Sequence, residues 1–240
     1  DNVATPHGSH VELVDFDPEG ELKVVAAMLY PHTDMSESSV LARVHALSSD
    51  DRLAVMQAYV GERSNRRHRP GRALERTDYR FDVLSDYGGF RDLQRHRLAT
   101  IEWRPLGPRH GYVRPSSLVD AGVAERFDEA MDTSQELWGA LSEQFPDRAA
   151  YAVSLAHRIR YVMQFNAREA IHLLELRSSV QGHPSYRAVA QRMHRLVGDE
   201  AGHHAIARMM SFVDHSGEVE LERIAAERRA EQRRDATGGL

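Results

Sequence analysis

Two short segments in which apolar and polar residues alternate constrain the fold of this chain most strongly. Residues 79–83 have the order Tyr-Arg-Phe-Asp-Val, and residues 158–165 have the order Arg-Ile-Arg-Tyr-Val-Met-Gln-Phe. Such a period of two is typical of a β-strand with one buried face. A third alternating segment, Val11–Phe16, lies near the N-terminus. The sequence therefore predicts strands in three separate regions. The strand at residues 158–165 carries arginines on one face.

Helical patterns lie between these strands in an irregular order. The clearest is the segment 124–145, where apolar residues recur at steps of three and four and predict an amphipathic helix. Other helices are predicted at residues 22–30, 40–47, 51–60, 90–97, 166–178, 186–213 and 218–234. Because strands and helices are interspersed without a repeating βαβ pattern, we expect a mixed α+β fold and not a doubly wound sheet.

The composition is that of a globular protein, with 41% hydrophobic and 28% charged residues in 240 positions. The net charge of −5 provides no global attraction for nucleic acid, so any anion site must be local. The longest apolar run, Val24–Tyr30, is too short to span a bilayer. We therefore expect a cytoplasmic protein without a membrane or nucleic-acid partner. Since the chain begins at Asp1 and not at methionine, it is compatible with a piece of a longer protein.

The chain has no cysteine, which excludes disulfides, thiolate metal sites, iron–sulfur clusters and cysteine nucleophiles. Two Glu-x-x-His motifs, Glu169–His172 and Glu200–His203, nevertheless offer a carboxylate and an imidazole on one helix face. With Glu129 and Glu136 they would complete the ligand set of a di-metal carboxylate bundle. The predicted strands fit such a bundle poorly, and Glu169 also stands at capping-box spacing from Asn166. We therefore expect no metal site, and the di-metal helical protein is kept as an alternative.

The triplet Arg95–Arg97, with the sequence Arg-His-Arg, is the first candidate for a binding site. Arginine stays charged at any working pH and presents planar, forked donors that suit phosphate groups. The segment Glu62–Arg76 is also basic, with six arginines around Pro70-Gly71. It fits either a phosphate-binding loop or a solvated loop. The triplet alone fits an ordinary surface as well as it fits an anion site.

The strand–helix junction at residues 158–178 is the second candidate. Its strand carries Arg160, and its helix starts at Asn166 and extends to Arg177. Asn166 and Arg177 lie three turns apart on nearly the same helix face, and the first amides of a helix attract anions. The alternative is that Asn166 is only a helix cap and that Arg177 only complements the negative end of the helix dipole.

Together the two candidate segments resemble the signature of the flavin-dependent thymidylate synthases. In that family one motif begins Arg-His-Arg, and a second region has Asn-Ala-Arg followed by a helix that ends in Leu-Arg. Arg95–Arg97 and Thr100 match the first motif, and Asn166–Arg168 and Leu176-Arg177 match the second. The similarity extends over residues 11–213, and the two motifs together are specific although neither is specific alone.

The resemblance implies a curved, mostly antiparallel sheet flanked by helices in a flavin-binding domain at residues 11–215. A flexible tail at residues 1–10 and a charged helix and tail at residues 216–240 would flank it. It implies a homotetramer with FAD across the subunit interfaces. The activity would be reductive methylation of dUMP, or a related pyrimidine nucleotide, to dTMP, with methylenetetrahydrofolate as carbon donor and NADPH as reductant. This family uses no cysteine nucleophile, which agrees with a chain that lacks cysteine.

The resemblance also assigns roles to individual residues. Six residues would contact FAD: Arg95, His96, Arg97, Asn166, Arg168 and His172. Three residues would bind the nucleotide: Arg95, Arg160 and Arg177. Arg160 would hold the nucleotide phosphate by a charge-assisted fork. Arg177, the catalytic residue, would face the pyrimidine carbonyls and stabilise the N-deprotonated ring.

The chain departs from the family pattern mainly on the nucleotide side. After Thr100 the family has a polar tail with a serine and an Arg-Tyr pair, whereas this chain has Ile101–Gly107, with Arg109 and Tyr112 as candidate substitutes for the pair. Asp92 stands where the family has glutamine. The FAD contacts are therefore better preserved than the dUMP contacts. The alternative is an FAD- or nucleotide-binding homologue that is inactive or acts on another pyrimidine nucleotide.

Overall fold

The computed structural model describes residues 9–217. Four strands are present in this range: β1 (His10–Phe16), β2 (Asp78–Asp86), β3 (Thr100–Trp103) and β4 (Arg158–Asn166). Nine α-helices accompany them in the same range: α1 (Gly20–Leu29), α2 (Glu37–Ala46), α3 (Ser49–Val60), α4 (Tyr87–Leu93), α5 (Ser116–Asp120), α6 (Ala124–Gln144), α7 (Ala167–Arg177), α8 (Pro184–Asp199) and α9 (His204–Met209). The helix predicted at 218–234 and most of the predicted N-terminal tail lie outside the described residues.

The four strands form one antiparallel sheet in the order β1-β2-β4-β3. The central pair of strands, β2 and β4, aligns Phe81 with Met163, and β1 and β3 add Leu13 and Ile101 to the same row. Because alternate side chains point to one face of a sheet, this register collects apolar side chains from all four strands on one side. The predicted α+β fold with an antiparallel sheet is confirmed.

One face of the sheet forms the core. Tyr79, Phe81, Tyr161 and Phe165 are at most 2% exposed. Helix α8 packs against β1 and β2, and α4 and α7 pack against β4. On the opposite face Arg160 is only half-buried, as expected for an antiparallel sheet with one face toward water. The alternating patterns therefore predicted β1, β2 and β4 and the buried side of the two central strands, whereas β3 was not predicted.

The junction between β4 and α7 positions the second candidate segment. Asn166 ends β4, and its Oδ1 accepts a hydrogen bond of 2.9 Å from the backbone N–H of Glu169. This contact satisfies one of the amides that a helix leaves open at its start. Helix α7 therefore begins at Ala167 and extends to Arg177. The predicted helix and its Asn166 cap are confirmed.

Helix α4 corrects the prediction of a helix at residues 90–97. The Asp86 carboxylate caps the chain earlier, because its Oδ1 accepts from the backbone N–H of Gly89 at 2.7 Å. Gly88 and Gly89 therefore lie inside the first turn, and the helix ends at Leu93. As a result Arg95–Arg97 lies in the loop between α4 and β3 and not on a helix.

The predicted helix at residues 186–213 is also interrupted. Helices α8 and α9 are separate, since Gly202 between them adopts a left-handed φ of 71° that residues with a side chain disfavour. After this break His203 is buried in the core, where its Nδ1 lies 2.7 Å from the Tyr79 hydroxyl. The last predicted helix of the core region is thus two helices with a buried histidine at the break.

Helix α6 confirms the predicted amphipathic helix in its extent. It has 21 residues, yet Met131 is its one buried residue, and Leu137 is 51% exposed. It packs mainly on α5 and on the short 3-10 helix Ala149–Ala152. Within residues 9–217 no helix is both long and apolar enough to cross a membrane.

Candidate functional site

A cavity of about 740 Å³ lies between α7, the loop after α4 and a loop that we call the basic loop (residues 61–71). This volume falls within the roughly 300–1,000 Å³ that is usual for small-molecule sites. The lining carries eight arginines: Arg63, Arg66, Arg69, Arg72, Arg95, Arg97, Arg168 and Arg177. Its acidic residues are Glu75 and Glu169. A chain with a net charge of −5 thus concentrates positive charge at one place, as a local anion site requires.

The two motif segments meet in this cavity. The lining includes seven of the eight predicted site residues: Arg95, His96, Arg97, Asn166, Arg168, His172 and Arg177. The eighth, Arg160, is not part of the lining. His96 and Arg177, which lie 81 positions apart in sequence, are joined by a hydrogen bond of 3.0 Å. The predicted residues are therefore brought together, while their roles toward a ligand stay predictions.

The cavity floor, which we define as His96, Glu169 and Arg177, is a chain of hydrogen bonds. Arg177 Nε donates to His96 Nε2 at 3.0 Å, and His96 Nδ1 lies 2.8 Å from Glu169 Oε1. A guanidinium can only donate, so Nε2 must be the unprotonated nitrogen of the imidazole. Nδ1 then carries the proton and donates it to the Glu169 carboxylate. The floor thereby fixes the tautomer of His96 and one edge of the Arg177 guanidinium.

Water is largely excluded from the floor. The side chains of His96 and Glu169 are each 4% exposed, and that of Arg177 is 14% exposed. Hydrogen bonds are stronger in such an environment, and an unpaired polar group would be costly there. Because both ring nitrogens of His96 are engaged within the protein, a ligand would meet its ring face or its backbone. Sequence reasoning missed Glu169 as the partner of His96, because the local pattern offered it only as a capping residue or as a metal ligand.

His172 lies beside the floor, with its ring centroid 5.6 Å from that of His96. Burial lowers the pKa of His172 below its ordinary value, and the negative charge of Glu169 opposes that shift. The positive charges of Arg69 and Arg66 lower the pKa further. His172 thus shares the cavity lining with arginines of the basic loop whose charges disfavour its protonation.

Three groups at the floor also have the spacing of a metal site, since one ligand atom from each of His96, Glu169 and His172 lies within 4.8 Å of the others. The donor set fits a cation poorly. A metal-bound histidine normally donates its second ring nitrogen to an acceptor, whereas His96 Nε2 faces the donor Arg177 Nε. The floor is therefore organised for the bonds that it already makes and not for a metal ion.

The described structure does not assemble the di-metal alternative. Within residues 9–217 no group with metal-ligand spacing includes Glu129, Glu136, Glu200 or His203. The three glutamates are exposed. His203 is buried against Tyr79 in the core. The two Glu-x-x-His motifs therefore do not build a common centre.

A buried ion pair that we call the loop anchor (Arg63 and Glu175) holds the basic loop against α7. The two terminal nitrogens of Arg63 donate to the two Glu175 oxygens at 2.6 Å each, and Nη1 also donates to the Met209 carbonyl at 2.9 Å. The two side chains are 4% and 0% exposed. The Arg63 guanidinium lies 5.2 Å from the centre of the Phe212 ring. Arg63 is therefore a structural residue, and no local pattern in the sequence marks Glu175 as its partner.

Other lining arginines are also held by the protein. Arg168 Nη1 donates to Glu75 Oε1 at 3.0 Å, and Arg168 Nε donates to the Pro70 carbonyl at 3.0 Å. Arg95 pairs with Asp92 at 3.3 Å. Arg168 thus fixes the end of the basic loop, and the charge of Arg95 is partly balanced.

Three lining arginines have no such partner. Arg66, Arg69 and Arg97, which we call the cavity rim, make no ion pair and no side-chain hydrogen bond with any residue in the range 9–217. Arg66 is half-buried, and Arg69 and Arg97 are exposed. Leu98, which is 71% exposed, also lines the cavity next to Arg97. The rim therefore offers unbalanced positive charge beside an exposed apolar side chain, which suits a ligand with an anionic and an apolar part.

Arg160 and the candidate substitutes for the Arg-Tyr pair lie elsewhere. Arg160 Nη1 pairs with Asp82 Oδ1 at 3.1 Å on the open face of the sheet. The Tyr112 hydroxyl donates to Asp128 Oδ1 at 2.7 Å, toward α6. Arg109 is exposed in the short 3-10 helix before Tyr112. None of the three lines the cavity, so their roles at a nucleotide stay predictions.

Comparison with known proteins shows the family. The family model described as thymidylate synthase complementing protein matches residues 12–201. The chain is 36% identical over 221 residues to a UPF0159 protein of Chlamydia pneumoniae, covering 92% of this chain and 41% of that protein. A UPF0159 protein of Chlamydia muridarum is 36% identical, with 91% and 41% covered, and one of Thermoplasma acidophilum is 33% identical, with 90% and 44% covered. The chain belongs to the thymidylate synthase complementing protein family as a divergent member, and it spans about two fifths of the length of these curated relatives.

Proposed function

We propose that this chain binds FAD in the arginine-lined cavity and acts as a flavin-dependent thymidylate synthase. The observation that carries the proposal is the 3.0 Å hydrogen bond from Arg177 Nε to His96 Nε2. It joins the two motifs that define the resemblance and places them on one cavity. Membership of the thymidylate synthase complementing protein family supports the same conclusion.

The lining residues fit a flavin dinucleotide in charge and in polarity. The three rim arginines have no carboxylate partner within the described residues, which matches the negative charge of a diphosphate. Pro70, Leu98, Ile171 and Leu176 supply apolar surface in the same lining. When bound, FAD would supply hydride-transfer chemistry. The six predicted FAD contacts, all of which line the cavity, would hold it there.

Arg177 is preorganised for the role that the resemblance gives it. Its Nε is committed to His96, so the orientation of the guanidinium is set. Its Nη1 lies 3.9 Å from Asp92, and the guanidinium lies 5.6 Å from the centre of the Tyr186 ring. Among the residues that the structure describes, this 3.9 Å contact with Asp92 is the nearest approach of its terminal nitrogens to a carboxylate. A cation held in this way can stabilise a developing negative charge on a pyrimidine ring without reorganisation.

The proposed reaction is the reductive methylation of dUMP to dTMP with methylenetetrahydrofolate and NADPH. Arg160 lies on the open face of the sheet, away from the cavity of its own chain. In a homotetramer with FAD at subunit interfaces, it would serve the cavity of a neighbouring copy. The curated relatives are more than twice as long as this chain, so their length does not indicate how copies of this chain assemble. The homotetramer is therefore proposed together with the reaction.

Visible absorption spectroscopy tests the cofactor, and product analysis tests the reaction. The purified protein, as isolated or after addition of FAD, should show a bound-flavin spectrum that changes when dUMP is added. It should oxidise NADPH and form dTMP when methylenetetrahydrofolate is present. Arg177→Ala should retain FAD and lose dTMP formation, while Arg67→Ala, at an exposed arginine outside the cavity lining, serves as a control for loss of one arginine.

The outcomes separate the parts of the proposal. A protein that stays colourless after addition of FAD and dialysis contradicts the cofactor assignment. A flavin-loaded protein without a dUMP-dependent spectral change and without dTMP contradicts the substrate assignment alone. Equal losses of dTMP formation in Arg177→Ala and Arg67→Ala contradict the role of Arg177.

A second candidate function is an FAD- or nucleotide-binding homologue without catalysis. The specific observation in its favour is that nucleotide-side arginines are balanced by carboxylates. Asp92, which replaces a family glutamine, lies 3.3 Å from Arg95 and 3.9 Å from Arg177, and Asp82 lies 3.1 Å from Arg160. This candidate predicts FAD affinity without NADPH oxidation. An Asp92→Gln variant that gains NADPH oxidation would support the compensating role of the carboxylate.

A further inference from the structure

We propose that the basic loop is a preorganised diphosphate-binding loop, in which Arg66 and Arg69 act together with Arg97 from the loop after α4. The identity of the natural ligand as FAD rests on the proposed function, whereas the anion site itself does not. Neither Arg66 nor Arg69 belongs to the two motifs on which the resemblance depends. Two observations support the proposal. The loop is anchored at both ends, and Arg66 and Arg69, which have no carboxylate partner within residues 9–217, line the cavity.

Hydrogen bonds and the loop anchor fix the basic loop at its start. The loop anchor fixes Arg63, whose Nε also donates to the His68 carbonyl at 2.8 Å. Between these residues the N–H of His68 donates to the Asn65 carbonyl at 3.1 Å, and the N–H of Arg67 donates to Asn65 Oδ1 at 2.9 Å. The central residues of this turn are Arg66 and Arg67. The turn is thus closed by backbone and side-chain hydrogen bonds before any ligand arrives.

The basic loop is also fixed at its end. Arg168 Nε donates to the Pro70 carbonyl at 3.0 Å. Gly71 passes so close to the Tyr59 hydroxyl that any side chain at this position would collide with it. The Tyr59 oxygen in turn accepts from the Ala73 N–H at 3.1 Å. A loop that is held at both ends loses little conformational freedom on binding, which favours affinity.

The arginines of the basic loop differ in whether they reach the cavity. Arg66 and Arg69 line it together with His172 of α7, and their positive charges lower the pKa of His172 beyond the effect of burial. Arg97 lines the same cavity from the loop after α4. Arg67 lies in the same turn, is exposed and is not part of the lining. The loop therefore separates arginines that face the cavity from one that faces solvent.

The unpaired arginines of the cavity indicate the chemistry of its ligand. Arg66, Arg69 and Arg97 lack a carboxylate partner within residues 9–217, so their mutual repulsion is relieved only by an added anion. Arginine binds phosphate oxygens through two parallel N–H donors. Three such groups around one cavity match the clustered charge of a diphosphate. Leu98, which follows Arg97 in the sequence, adds an exposed apolar side chain to the same lining.

The test uses inorganic pyrophosphate, FAD and riboflavin as probes of the whole chain. Isothermal titration measures pyrophosphate binding, and quenching of flavin fluorescence measures the other two. Arg66→Gln and Arg69→Gln are compared with the matched control Arg67→Gln, which removes the same charge from the same turn. We expect each of the first two variants to weaken pyrophosphate and FAD by about tenfold or more, as for loss of a charge-assisted hydrogen bond. Riboflavin, which has no phosphate, should bind all four proteins equally.

The control experiments keep the result interpretable. Arg66→Lys and Arg69→Lys preserve the charge but not the fork, and should show intermediate affinities. Thermal melting of every variant identifies any loss of folding. Losses for Arg66→Gln and Arg69→Gln no larger than that for Arg67→Gln would overturn the proposal, as would equal losses for FAD and riboflavin or no binding of pyrophosphate by the native chain. Pyrophosphate binding with the expected variant pattern, but without FAD binding, would leave the loop assignment intact and overturn the proposed function.

Discussion

The loop anchor and the cavity rim use the same residue type in opposite ways. Arg63 is buried, with its side chain 4% exposed, and is paired with Glu175. Arg66 and Arg69, a few positions later in the same loop, have no carboxylate partner within the described residues. A buried charge is tolerated only when it is paired, whereas an unpaired charge persists where water reaches it. One arginine of the loop therefore determines where the loop lies, and its neighbours remain available to bind.

The cavity floor extends the same contrast. Arg177 has one side of its guanidinium committed to His96, and its side chain is 14% exposed. It is thus both held by the protein and directed at the cavity. The number of arginines alone therefore does not locate an anion site in this chain. The hydrogen-bond partners of each arginine decide which of them can meet a ligand.

Removal of the loop anchor should have the largest effect on stability. Arg63→Met keeps much of the apolar stem but leaves Glu175 buried without a counter-charge. We expect the free energy of unfolding to fall by about 3–5 kcal/mol, as for loss of one partner of a buried ion pair. Urea denaturation followed by circular dichroism measures this difference.

Two further variants define what that result means. The exposed Arg67→Met in the same loop should change the free energy of unfolding by less than about 0.5 kcal/mol. The double variant Arg63→Met/Glu175→Leu should recover much of the lost stability, because it removes both charges. An Arg63→Met protein as stable as Arg67→Met would contradict the distinction between anchor and rim.

The cavity floor should show the next largest effect. Glu169→Ala leaves the His96 Nδ1–H buried without an acceptor, at a cost of about 1–3 kcal/mol in the free energy of unfolding. It also permits the other tautomer, which would place a second donor against Arg177 Nε. Nitrogen-15 NMR should therefore show the Nδ1–H tautomer in the native protein and its loss in Glu169→Ala. Glu169→Gln, which retains an acceptor oxygen, should preserve the tautomer, and an Nε2–H tautomer in the native protein would refute the proposed bonding.

The fold was largely predictable because its strongest signals are local. The alternation at 79–83 and 158–165 predicted β2 and β4, which need only a period of two to reveal their buried face. Two helix boundaries were wrong for physical reasons. Asp86 caps α4 before the expected start, and Gly202, with a φ of 71°, divides the last helix of the core. Both depend on backbone geometry that hydrophobic periodicity does not report.

The site was only partly predictable, because its decisive contacts join distant positions. The resemblance named seven residues that the structure places in the lining of one cavity, and their roles toward a ligand stay predictions. It did not reveal that Glu169 binds His96 across 73 positions, nor that Arg63 binds Glu175 across 112 positions. Buried ion pairs of this kind follow from tertiary packing. The division of the arginines into held and free residues therefore required the structure.

His172 offers a smaller, pH-dependent measure of the rim. Its pKa is lowered by burial and further by Arg69 and Arg66. A histidine with a lowered folded-state pKa contributes stability above its unfolded value of about 6.5, and this contribution is lost as the pH falls toward the folded-state pKa. Arg66→Gln and Arg69→Gln should raise the pKa of His172 in an NMR titration and weaken the acid-dependent loss of stability. Arg67→Gln should leave the titration of His172 unchanged, and a rise in this control as large as in the rim variants would refute the inward direction of Arg66 and Arg69.

Removal of the ion pair between Arg160 and Asp82 should have the smallest effect on stability, because this pair lies outside the cavity and is partly exposed. Both side chains are partly exposed, at 43% and 27%, so Arg160→Gln should change the free energy of unfolding by at most about 1 kcal/mol. It should also leave the FAD dissociation constant unchanged, since Arg160 does not line the cavity of its own chain. If Arg160 serves a nucleotide in a neighbouring copy, the same variant should weaken dUMP binding while FAD binding persists. Fluorescence titration of FAD and calorimetric titration of dUMP distinguish these effects, and a loss of FAD affinity equal to that of Arg66→Gln would show that the cavity is not the boundary of the FAD site.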